Sequence, residues 1–556
     1  TRSPGALGGR MGTTVDMIAA FLAGAGVRRM YGVPGGGSTL DLIEAGRKRQ
    51  LEFILTPDEA SAAIMGATEG DLLDRPGVCL AALGAGVANA VGGVAHACLD
   101  RAPLLLLTDR LSRRSSRLAE RQGPEHRRLL EEVTKAAATI TAPRSNRLLA
   151  WAWGKALAAP RGAVHLDLPA DEAMRPARRH PVRPGQERPV SPSPSAIRAA
   201  ARLLARRGRV VVVAGLGCRA SRSARALQEL VEHLGSPLLT TPRAKGAVPE
   251  DHPLAAGLFL GGQLEEELLA KAEGVLAVGL DAGELLPRPW RDGLPVVVLA
   301  EYRTGRRPFE PASEVIADLP ASLEAMREAL PPGGGWGLAD WAGRAGNYKT
   351  RGRALLAEAS IARGRTGLPP HRVVEIAREI FPRQTVAVAD SGIHALTVGA
   401  FWDCYEPKGY VCSSGIARPG FALPAALAAK LTRPDGPVLA FLGDGGFLRC
   451  MADLATAAWL RLPLVVVVFT DASLGLVRVQ QEQRRYAPVG VSLGTMDIPK
   501  LAESLGALGT EVEEEEGLRS ALKDAVGTTQ PAVVAAKVRP TGYRRTLEIL
   551  LGRGGT

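Results

Sequence analysis

The stretch Leu439-Ala-Phe-Leu-Gly-Asp-Gly-Gly-Phe447 is an apolar run that leads directly into a glycine turn and then into the helical pattern of Met451–Leu460. A strand, a glycine turn and a helix start aim backbone N–H groups and a helix dipole at one point, where a phosphate could sit. Asp444, in the middle of the turn, would supply a hard oxygen ligand for the cation that accompanies such a phosphate. The stretch therefore predicts an α/β unit with an anion and metal site at the end of its strand.

A second acid follows the next predicted strand of the same region. Asp471 comes directly after the run Leu464–Thr470 and lies 27 residues beyond Asp444. Because the carboxyl ends of adjacent parallel strands meet at one edge of a sheet, we expect the two acids to lie close together. A lone Gly-Asp-Gly is more often a simple turn, so the prediction of a metal site rests on the pair.

Short apolar runs alternate with longer amphipathic segments in three parts of the chain, a pattern typical of parallel sheets covered by helices. Segments near 181–195, rich in Pro and Arg, and 331–368, which opens with Pro-Pro-Gly-Gly-Gly, separate these parts. We predict the fold class α/β with three successive domains at residues 11–180, 196–330 and 369–545, and a loosely held tail after residue 543. The predicted strands are Val78–Leu83, Leu104–Thr108, Val164–Leu168, Val210–Ala214, Val275–Val278, Val296–Leu299, Thr385–Ala389, Val438–Leu442 and Leu464–Thr470.

Composition excludes several classes of protein. With 556 residues, 46% hydrophobic and 23% charged, the chain is long and apolar enough for several folded domains. The net charge of +12 is spread along the chain and no apolar run reaches membrane-spanning length, so neither nucleic acid nor a membrane is expected as a partner. The six cysteines form no CxxC pair, which favours reduced thiols, and the first residues do not resemble a secretion signal. We therefore expect a cytoplasmic location.

Three segments of the first domain add a resemblance to a known family: Met30-Tyr-Gly-Val-Pro-Gly-Gly36, Thr56-Pro-Asp-Glu-Ala60 and Leu99-Asp-Arg-Ala-Pro103. Together with Gly-Asp-Gly and the later acid, they resemble the thiamine-diphosphate-dependent enzymes of the acetolactate synthase, pyruvate oxidase and 2-oxo acid decarboxylase family. The resemblance extends over nearly the whole chain. It implies a pyrimidine-binding domain, a central Rossmann-like domain and a diphosphate-binding domain in that order, with thiamine diphosphate and Mg²⁺ as cofactors.

The resemblance implies two catalytic residues, Glu59 and Gln122. Glu59 falls where the family has a glutamate that binds N1′ of the aminopyrimidine and so favours the tautomer that takes the proton from thiazolium C2. By itself Glu59 would be an exposed acid at the start of the helix Ala60–Leu73. Gln122, 13 residues before Lys135, matches a glutamine placed over the thiazolium and the substrate. Its alternative is a solvated loop residue.

Further residues enter the cofactor site by the same resemblance. The metal would be held by Asp444, by Asp471, where the family usually has Asn, and by the backbone carbonyl of Ser473. Ala417 would offer its carbonyl to the 4′-amino group, whereas Pro419 stands where the family has a residue whose N–H meets the pyrimidine, a donor that proline lacks. The full set of predicted cofactor-binding residues is Pro34, Gly35, Glu59, Ile393, His394, Ala417, Pro419, Gly443, Asp444, Gly445, Gly446, Asp471, Ser473, Leu474, Gly475 and Leu476.

The activity that the resemblance implies is a carbon–carbon lyase or ligase reaction on 2-oxo acids or acyloins. Acetolactate synthases carry Arg-Phe-Asp-Asp-Arg at a central strand end, where this chain has Asp281-Ala-Gly-Glu-Leu285, so the arginine that meets the acceptor is absent. A simple 2-oxo acid decarboxylase, an FAD-linked oxidase and a non-catalytic cofactor-binding scaffold remain alternatives, and FAD is not expected to be required. Because the two halves of the site lie on different subunits in this family, a homodimer at least, and a homotetramer by preference, is expected.

Overall fold

The computed structural model contains three six-stranded parallel sheets flanked by helices and one two-stranded antiparallel ribbon. It describes residues 11–118, 125–178, 189–285, 290, 293–305, 307–333, 335–336, 338–359 and 366–552. The chain divides into two compact units, residues 1–188 with one large sheet and residues 189–556 with two. The predicted α/β class, with three parallel sheets covered by helices, is confirmed.

The first unit is built around a sheet whose inner strands are apolar because helices cover both faces. From edge to edge its strands are Glu52–Leu55, Arg29–Gly32, Gly77–Ala81, Leu104–Arg110, Ala163–Pro169 and Ala136–Thr139. The ribbon pairs Met11–Thr13 with Pro176–Arg178. The helices of the first unit are Thr14–Gly24, Ser38–Arg47, Glu59–Leu73, Ala85–Leu99, His126–Leu130, Ser145–Leu157 and Ala170–Ala173.

The second unit begins with the central sheet. Its strands in spatial order are Ala255–Leu258, Leu238–Thr240, Val210–Ala214, Gly274–Val278, Val296–Ala300 and Ser313–Ile316, all parallel. Its helices are Pro194–Ala205, Ser221–Leu234, Gln263–Lys271 and Leu319–Ala329, followed by Leu338–Ala359 on the way to the next sheet.

The last sheet of the second unit places the stretch with which the sequence analysis began. Its strands in spatial order are Tyr410–Cys412, Val386–Ala389, Val438–Gly443, Val465–Thr470, Ala532–Lys537 and Leu508–Val512, again all parallel. Its helices are Pro370–Ile380, Ile393–Phe401, Ala422–Thr432, Asp444–Cys450, Asp453–Trp459, Gly475–Gln483, Ile498–Ser504, Glu515–Val526 and Tyr543–Leu551. Val438–Gly443 and Val465–Thr470 are neighbours, so their carboxyl ends share one edge.

The structure differs from the sequence predictions at two points near this edge. The predicted helix Met451–Leu460 is present as Asp453–Trp459, but it is preceded by a further helix, Asp444–Cys450, that was not predicted. The predicted loose tail is wrong, because residues 543–551 form a helix that buries Tyr543, Leu547 and Leu550. Apolar residues at helical spacing give this helix a core-facing side, which a short terminal segment needs in order to stay packed.

Two further observations concern the whole described chain. No helix among the described residues has the length and apolar character needed to cross a bilayer. All six cysteines lie in described segments, and each is a free thiol.

Candidate cofactor site

The carboxyl ends of Val438–Gly443 and Val465–Thr470, with Asp444 and Asp471, form what we call the acidic edge. The carboxylate of Asp444 is 3% exposed, and its Oδ2 accepts the backbone N–H groups of Asp471 at 3.1 Å and Ala472 at 2.7 Å. Oδ1 of Asp471 accepts the N–H of Ser473 at 3.0 Å. The structure thus brings together the three residues that the sequence predicts as metal ligands.

The electrostatics of the acidic edge suit a cation. Burial, and next to it the charge of Asp444, raises the pKa of Asp471 to about 7. Burial also raises the pKa of Asp444, although backbone N–H donors act in the opposite direction. The buried Asp444 and the half-buried Asp471 repel each other, and a divalent cation between the two carboxylates would relieve both the repulsion and the cost of burial.

Two buried polar atoms at the acidic edge have no hydrogen-bond partner among the described residues: Oγ of Ser473 and Nε2 of His394. His394 is the second residue of Ile393–Phe401, lies 5% exposed and stacks on Phe469 at 5.6 Å between ring centroids. Burial lowers the pKa of His394 to about 4, so the ring is neutral near pH 7 and can present one N–H. Unpaired buried polar atoms are costly, and both atoms fit partners supplied by phosphate oxygens.

The glycines of the turn are required by close packing. A Cβ on Gly443 would lie 3.1 Å from Nδ1 of His394, and a Cβ on Gly446 would lie 2.0 Å from Oδ2 of Asp390. Gly445 packs in the same way against the side chain of Leu474, the first residue of the segment Leu474-Gly475-Leu476. The backbone of the turn can approach His394 and Asp390 only because Gly443 and Gly446 have no side chain.

The segment that contains Ala417 and Pro419 is held by Asp390. The Asp390 carboxylate accepts the N–H groups of Gly420 at 2.9 Å, Phe421 at 2.8 Å and Ala422 at 3.2 Å. Burial raises its pKa to about 6 against the effect of these donors. Ala417 has a φ of 48°, a conformation that non-glycine residues adopt at a cost of order 1 kcal/mol and that concentrates at ligand sites. Ala417 and Pro419 are both exposed.

Glu59 lies in the first unit, at the first position of helix Glu59–Leu73, and is only 6% exposed. Its Oε2 accepts a hydrogen bond from Nδ2 of Asn89 at 3.3 Å, and a Cβ on Gly86 would lie 2.7 Å from its Oε1. The alternative in which Glu59 is an exposed acid at a helix start is therefore wrong. A buried carboxylate can accept several hydrogen bonds, so Glu59 can accept a further hydrogen bond besides the one from Asn89.

The other predicted residues of the first unit are Pro34, Gly35 and Gln122. Pro34 and Gly35 lie between Arg29–Gly32 and Ser38–Arg47, where a Cβ on Gly35 would lie 2.8 Å from Oδ2 of Asp109. Gln122 lies outside the described residues.

A buried polar network of the first unit was not predicted from the sequence. Oδ1 of Asp167 accepts hydrogen bonds from the Thr108 hydroxyl at 2.9 Å and from Nδ1 of His126 at 3.1 Å, and Nη1 of Arg110 lies 2.6 Å from its Oδ2. Burial alone would raise the pKa of Asp167, but His126, His165 and Arg110 together lower it well below its usual value. The strand pattern around Asp167 reads as core, so only the run of charged residues before His126 could have drawn attention to it.

The carboxyl ends of Val210–Ala214 and Gly274–Val278 form what we call the central edge. Here Glu284 accepts the N–H of Leu216 at 2.8 Å through Oε2 and the hydroxyl of Thr241 at 2.5 Å through Oε1. A Cβ on Gly215 would lie 2.8 Å from Oε2 of Glu284. The Glu284 carboxylate thus satisfies an N–H and an O–H donor around this turn from within the protein.

Comparison with known proteins finds three family models that match successive parts of the chain. The thiamine pyrophosphate enzyme N-terminal TPP binding domain matches residues 12–133, the central domain residues 197–326 and the C-terminal TPP binding domain residues 390–536.

Curated relatives match over nearly the full length of the chain. A catabolic acetolactate synthase from Raoultella terrigena is 27% identical over 555 residues, which is 95% of each chain. An acetolactate synthase from Bacillus subtilis is 26% identical and covers 94% of this chain and 92% of its own. A protein named probable 2-ketoarginine decarboxylase from Pseudomonas aeruginosa is 29% identical, covering 93% of this chain and 92% of its own.

The matched domains, the relatives and the geometry of the acidic edge lead to one conclusion. The residues at that edge fit a diphosphate and its cation, and both TPP binding domains are present. The chain belongs to the thiamine pyrophosphate enzymes, in the branch that contains the acetolactate synthases and 2-oxo acid decarboxylases.

Proposed function

We propose that the enzyme binds thiamine diphosphate through Mg²⁺ at the acidic edge and acts on the bond beside the carbonyl of a 2-oxo acid or an acyloin. The observation that carries the proposal is the meeting of Asp444 and Asp471 next to the unpaired polar atoms of Ser473 and His394. Carboxylate and carbonyl oxygens are the ligands that Mg²⁺ prefers, and it commonly bridges a protein to phosphate groups.

Each residue of the site has a part in this proposal. Asp444, Asp471 and the Ser473 carbonyl hold the metal, and His394, Ile393 and the turn Gly443–Gly446 receive the diphosphate. Leu474, Gly475 and Leu476 close the turn from the side of the next helix. Ala417, Pro419, Pro34 and Gly35 are assigned to the aminopyrimidine, and Gln122 to the thiazolium and the substrate.

Glu59 is the residue that prepares the cofactor for reaction. Bound thiamine diphosphate supplies a thiazolium that accepts the electrons of the broken carbon–carbon bond. The buried Glu59 carboxylate, held by Asn89, binds the pyrimidine nitrogen and keeps the amino group able to take a proton. A non-catalytic scaffold would have no use for a buried acid at this position, which argues against that alternative.

The central edge bears on the type of reaction. The segment Asp281–Leu285 contains no arginine for an acceptor carboxylate, and its Glu284 is bonded inward. This favours simple decarboxylation, or ligation to an uncharged acceptor, as the second candidate activity. The same observation supports an enzyme that works without FAD.

Assembly, location and domain limits complete the proposal. We assign a homodimer at least, and a homotetramer by preference, in the cytoplasm, with domains at residues 11–180, 196–330 and 369–545. The family resemblance supports the assembly, and the spread of charge along the chain supports the absence of nucleic acid as a partner.

The test is turnover of a panel of 2-oxo acids and acyloins with thiamine diphosphate and Mg²⁺, with released CO₂ and carbonyl products identified by mass. Glu59→Gln should abolish turnover and leave cofactor uptake intact, whereas Glu44→Gln, at an exposed acid of the same unit, should change neither. Undiminished turnover in Glu59→Gln would refute the mechanism. Flavin absorbance in the purified protein would refute the assignment of an FAD-free enzyme.

A further inference from the structure

The last helix of the chain reaches the acidic edge through Tyr543. Tyr543 begins helix Tyr543–Leu551, is 5% exposed, and forms a side-chain hydrogen bond with Asp471. Asp471 lies 72 residues earlier in the sequence, directly after the strand Val465–Thr470. This contact therefore joins helix Tyr543–Leu551 to the end of that strand.

The ring of Tyr543 is fixed from several sides. It packs in a small apolar cluster with Ile393, Val479 and Leu547. A Cβ on Gly475 would lie only 3.1 Å from its Cε2, so the glycine allows the ring to lie directly against the segment that follows Ser473. Because the ring has little freedom, its hydroxyl oxygen is held at one point beside Asp471.

Asp471 has a particular need for a fixed donor. One oxygen already accepts the Ser473 N–H, and the neighbouring Asp444 is a second carboxylate. Where the family has an amide at this position, this chain has an acid, which adds an acceptor oxygen and a negative charge to the edge. An O–H donor stabilises a carboxylate without bringing a positive charge that would compete with a metal ion.

A cavity of about 160 Å³ lies next to this contact, lined by Ser473, Gly475, Arg478, Glu482 and Tyr543 among others. Such a space can admit water. If the hydroxyl were absent, the Asp471 carboxylate could turn toward this cavity and away from Asp444.

We propose that Tyr543 is a positioning residue for the metal: its hydroxyl holds the Asp471 carboxylate turned toward Asp444, ready to coordinate Mg²⁺. The inference rests on the proposed function, because it concerns the same metal site. It makes the C-terminal helix part of the cofactor site. Groups that orient metal ligands from behind typically contribute 10–100-fold to metal affinity.

The test is a Mg²⁺ titration of the full-length protein at saturating thiamine diphosphate, following cofactor uptake and turnover. Tyr543→Phe keeps the ring and its packing, so it should fold, and should raise the half-saturating Mg²⁺ concentration about 10–100-fold while kcat at saturating Mg²⁺ stays near that of the wild type. Tyr410→Phe removes a buried hydroxyl from another strand of the same sheet and should leave the Mg²⁺ dependence unchanged.

A double-mutant cycle separates positioning from general support of the fold. Asp471→Asn keeps a ligand oxygen and restores the residue usual in the family. The amide oxygen of Asn is a weaker acceptor than a carboxylate, so if Tyr543 acts through the Asp471 carboxylate, Tyr543→Phe should have a smaller effect on the half-saturating Mg²⁺ concentration in the Asp471→Asn background. Equal effects in both backgrounds would show that the effect of Tyr543 does not depend on the Asp471 carboxylate.

The outcomes also separate this inference from the proposed function. An unchanged Mg²⁺ dependence in Tyr543→Phe, with a normal Mg²⁺ requirement in the wild type, would overturn the role of Tyr543 alone. A wild type that takes up thiamine diphosphate equally well without Mg²⁺ would overturn the metal site itself. A loss of kcat at saturating Mg²⁺ with unchanged affinity would likewise contradict positioning of the metal.

Discussion

The acidic edge and the central edge are built alike and are used differently. Both lie at the carboxyl ends of two neighbouring strands in six-stranded parallel sheets of the same unit. At each edge a glycine-containing turn follows one of the strands. At the central edge Glu284 accepts the N–H of Leu216, so the turn is satisfied from within. At the acidic edge Ser473 and His394 keep buried polar atoms without a partner among the described residues.

The comparison shows that the position of a glycine turn in a parallel sheet is not enough to identify a binding site. What separates the two edges is whether a nearby side chain supplies the acceptor. A buried donor must be paired, so the Leu216 N–H needs no ligand, whereas the unpaired atoms of Ser473 and His394 are satisfied only by a ligand or at a cost in the free energy of unfolding.

Asp444→Ala should have the largest effect, because it removes a direct ligand of the proposed metal. Mg²⁺-dependent uptake of thiamine diphosphate should weaken by more than about 100-fold, given that groups behind the ligands already contribute 10–100-fold. Isothermal calorimetry measures the change. Asp435→Ala, at an exposed acid of the same domain, and Glu284→Gln, at the central edge, should bind as the wild type does. Equal binding by Asp444→Ala would remove the distinction between the edges.

His394 at the acidic edge and Glu284 at the central edge should contribute to the pH dependence of stability with opposite signs. In the cofactor-free protein the pKa of His394 is about 4, below its value of roughly 6.5 in the unfolded chain. The unfolded chain therefore gains a proton first, and stability should fall by ~3 kcal/mol as the pH decreases from about 6.5 to about 4. Denaturant unfolding of the wild type and His394→Gln should show that the variant lacks this loss.

Glu284 provides the opposite sign in the same experiment. Burial raises its pKa in the folded state, so the folded protein holds this proton more tightly and the contribution of Glu284 to stability decreases as the pH rises. Glu284→Gln should remove that decrease. If both variants changed the pH profile in the same direction, the assignment of the groups would be wrong.

Glu284→Ala should destabilise the central edge without affecting the cofactor. The change leaves the Leu216 N–H and the Thr241 hydroxyl without their acceptor, at a cost of about 2 kcal/mol in the free energy of unfolding. Urea unfolding measures this cost, and Glu328→Ala, at an exposed acid of the same sheet's covering helix, serves as the control. Weaker thiamine diphosphate binding by Glu284→Ala would contradict the separation of the two edges.

Pro419→Met should have the smallest effect. It restores a backbone N–H beside the loop that Asp390 holds, and one additional hydrogen bond to the pyrimidine contributes about 1 kcal/mol. We expect kcat to rise a few-fold at saturating cofactor. Pro434→Met, at another exposed proline, should leave kcat unchanged. A decrease in Pro419→Met would place the pyrimidine contact elsewhere.

Strands buried on both faces could be predicted from the sequence, because their apolar runs are continuous. Val210–Ala214 and Val296–Ala300 coincide with predicted strands almost residue for residue, while Gly77–Ala81 ends before the predicted Leu83. Three-residue strands such as Leu238–Thr240 and Tyr410–Cys412 were not predicted, since so short a segment carries no period.

The site was predictable where one local motif carried it and not where distant residues meet. The pairing of Asp444 with Asp471 followed from two strand ends read in order, and the helix start at Glu59 from a local pattern. The contact of Tyr543 with Asp471 and the filling of the central edge by Glu284 depend on how the chain returns to a sheet edge, which no local pattern encodes. The helix at Asp444 was missed because its glycines are poor helix formers, and tertiary packing overrides that preference.

The most direct test of the account is calorimetry of thiamine diphosphate binding to the full-length protein in the presence of Mg²⁺ and after its removal by a chelator. We predict saturable uptake with Mg²⁺ and a loss of more than about 100-fold in affinity without it, as for the loss of a direct ligand. Uptake of equal strength under both conditions, or no uptake under either, would contradict a metal held by Asp444 and Asp471.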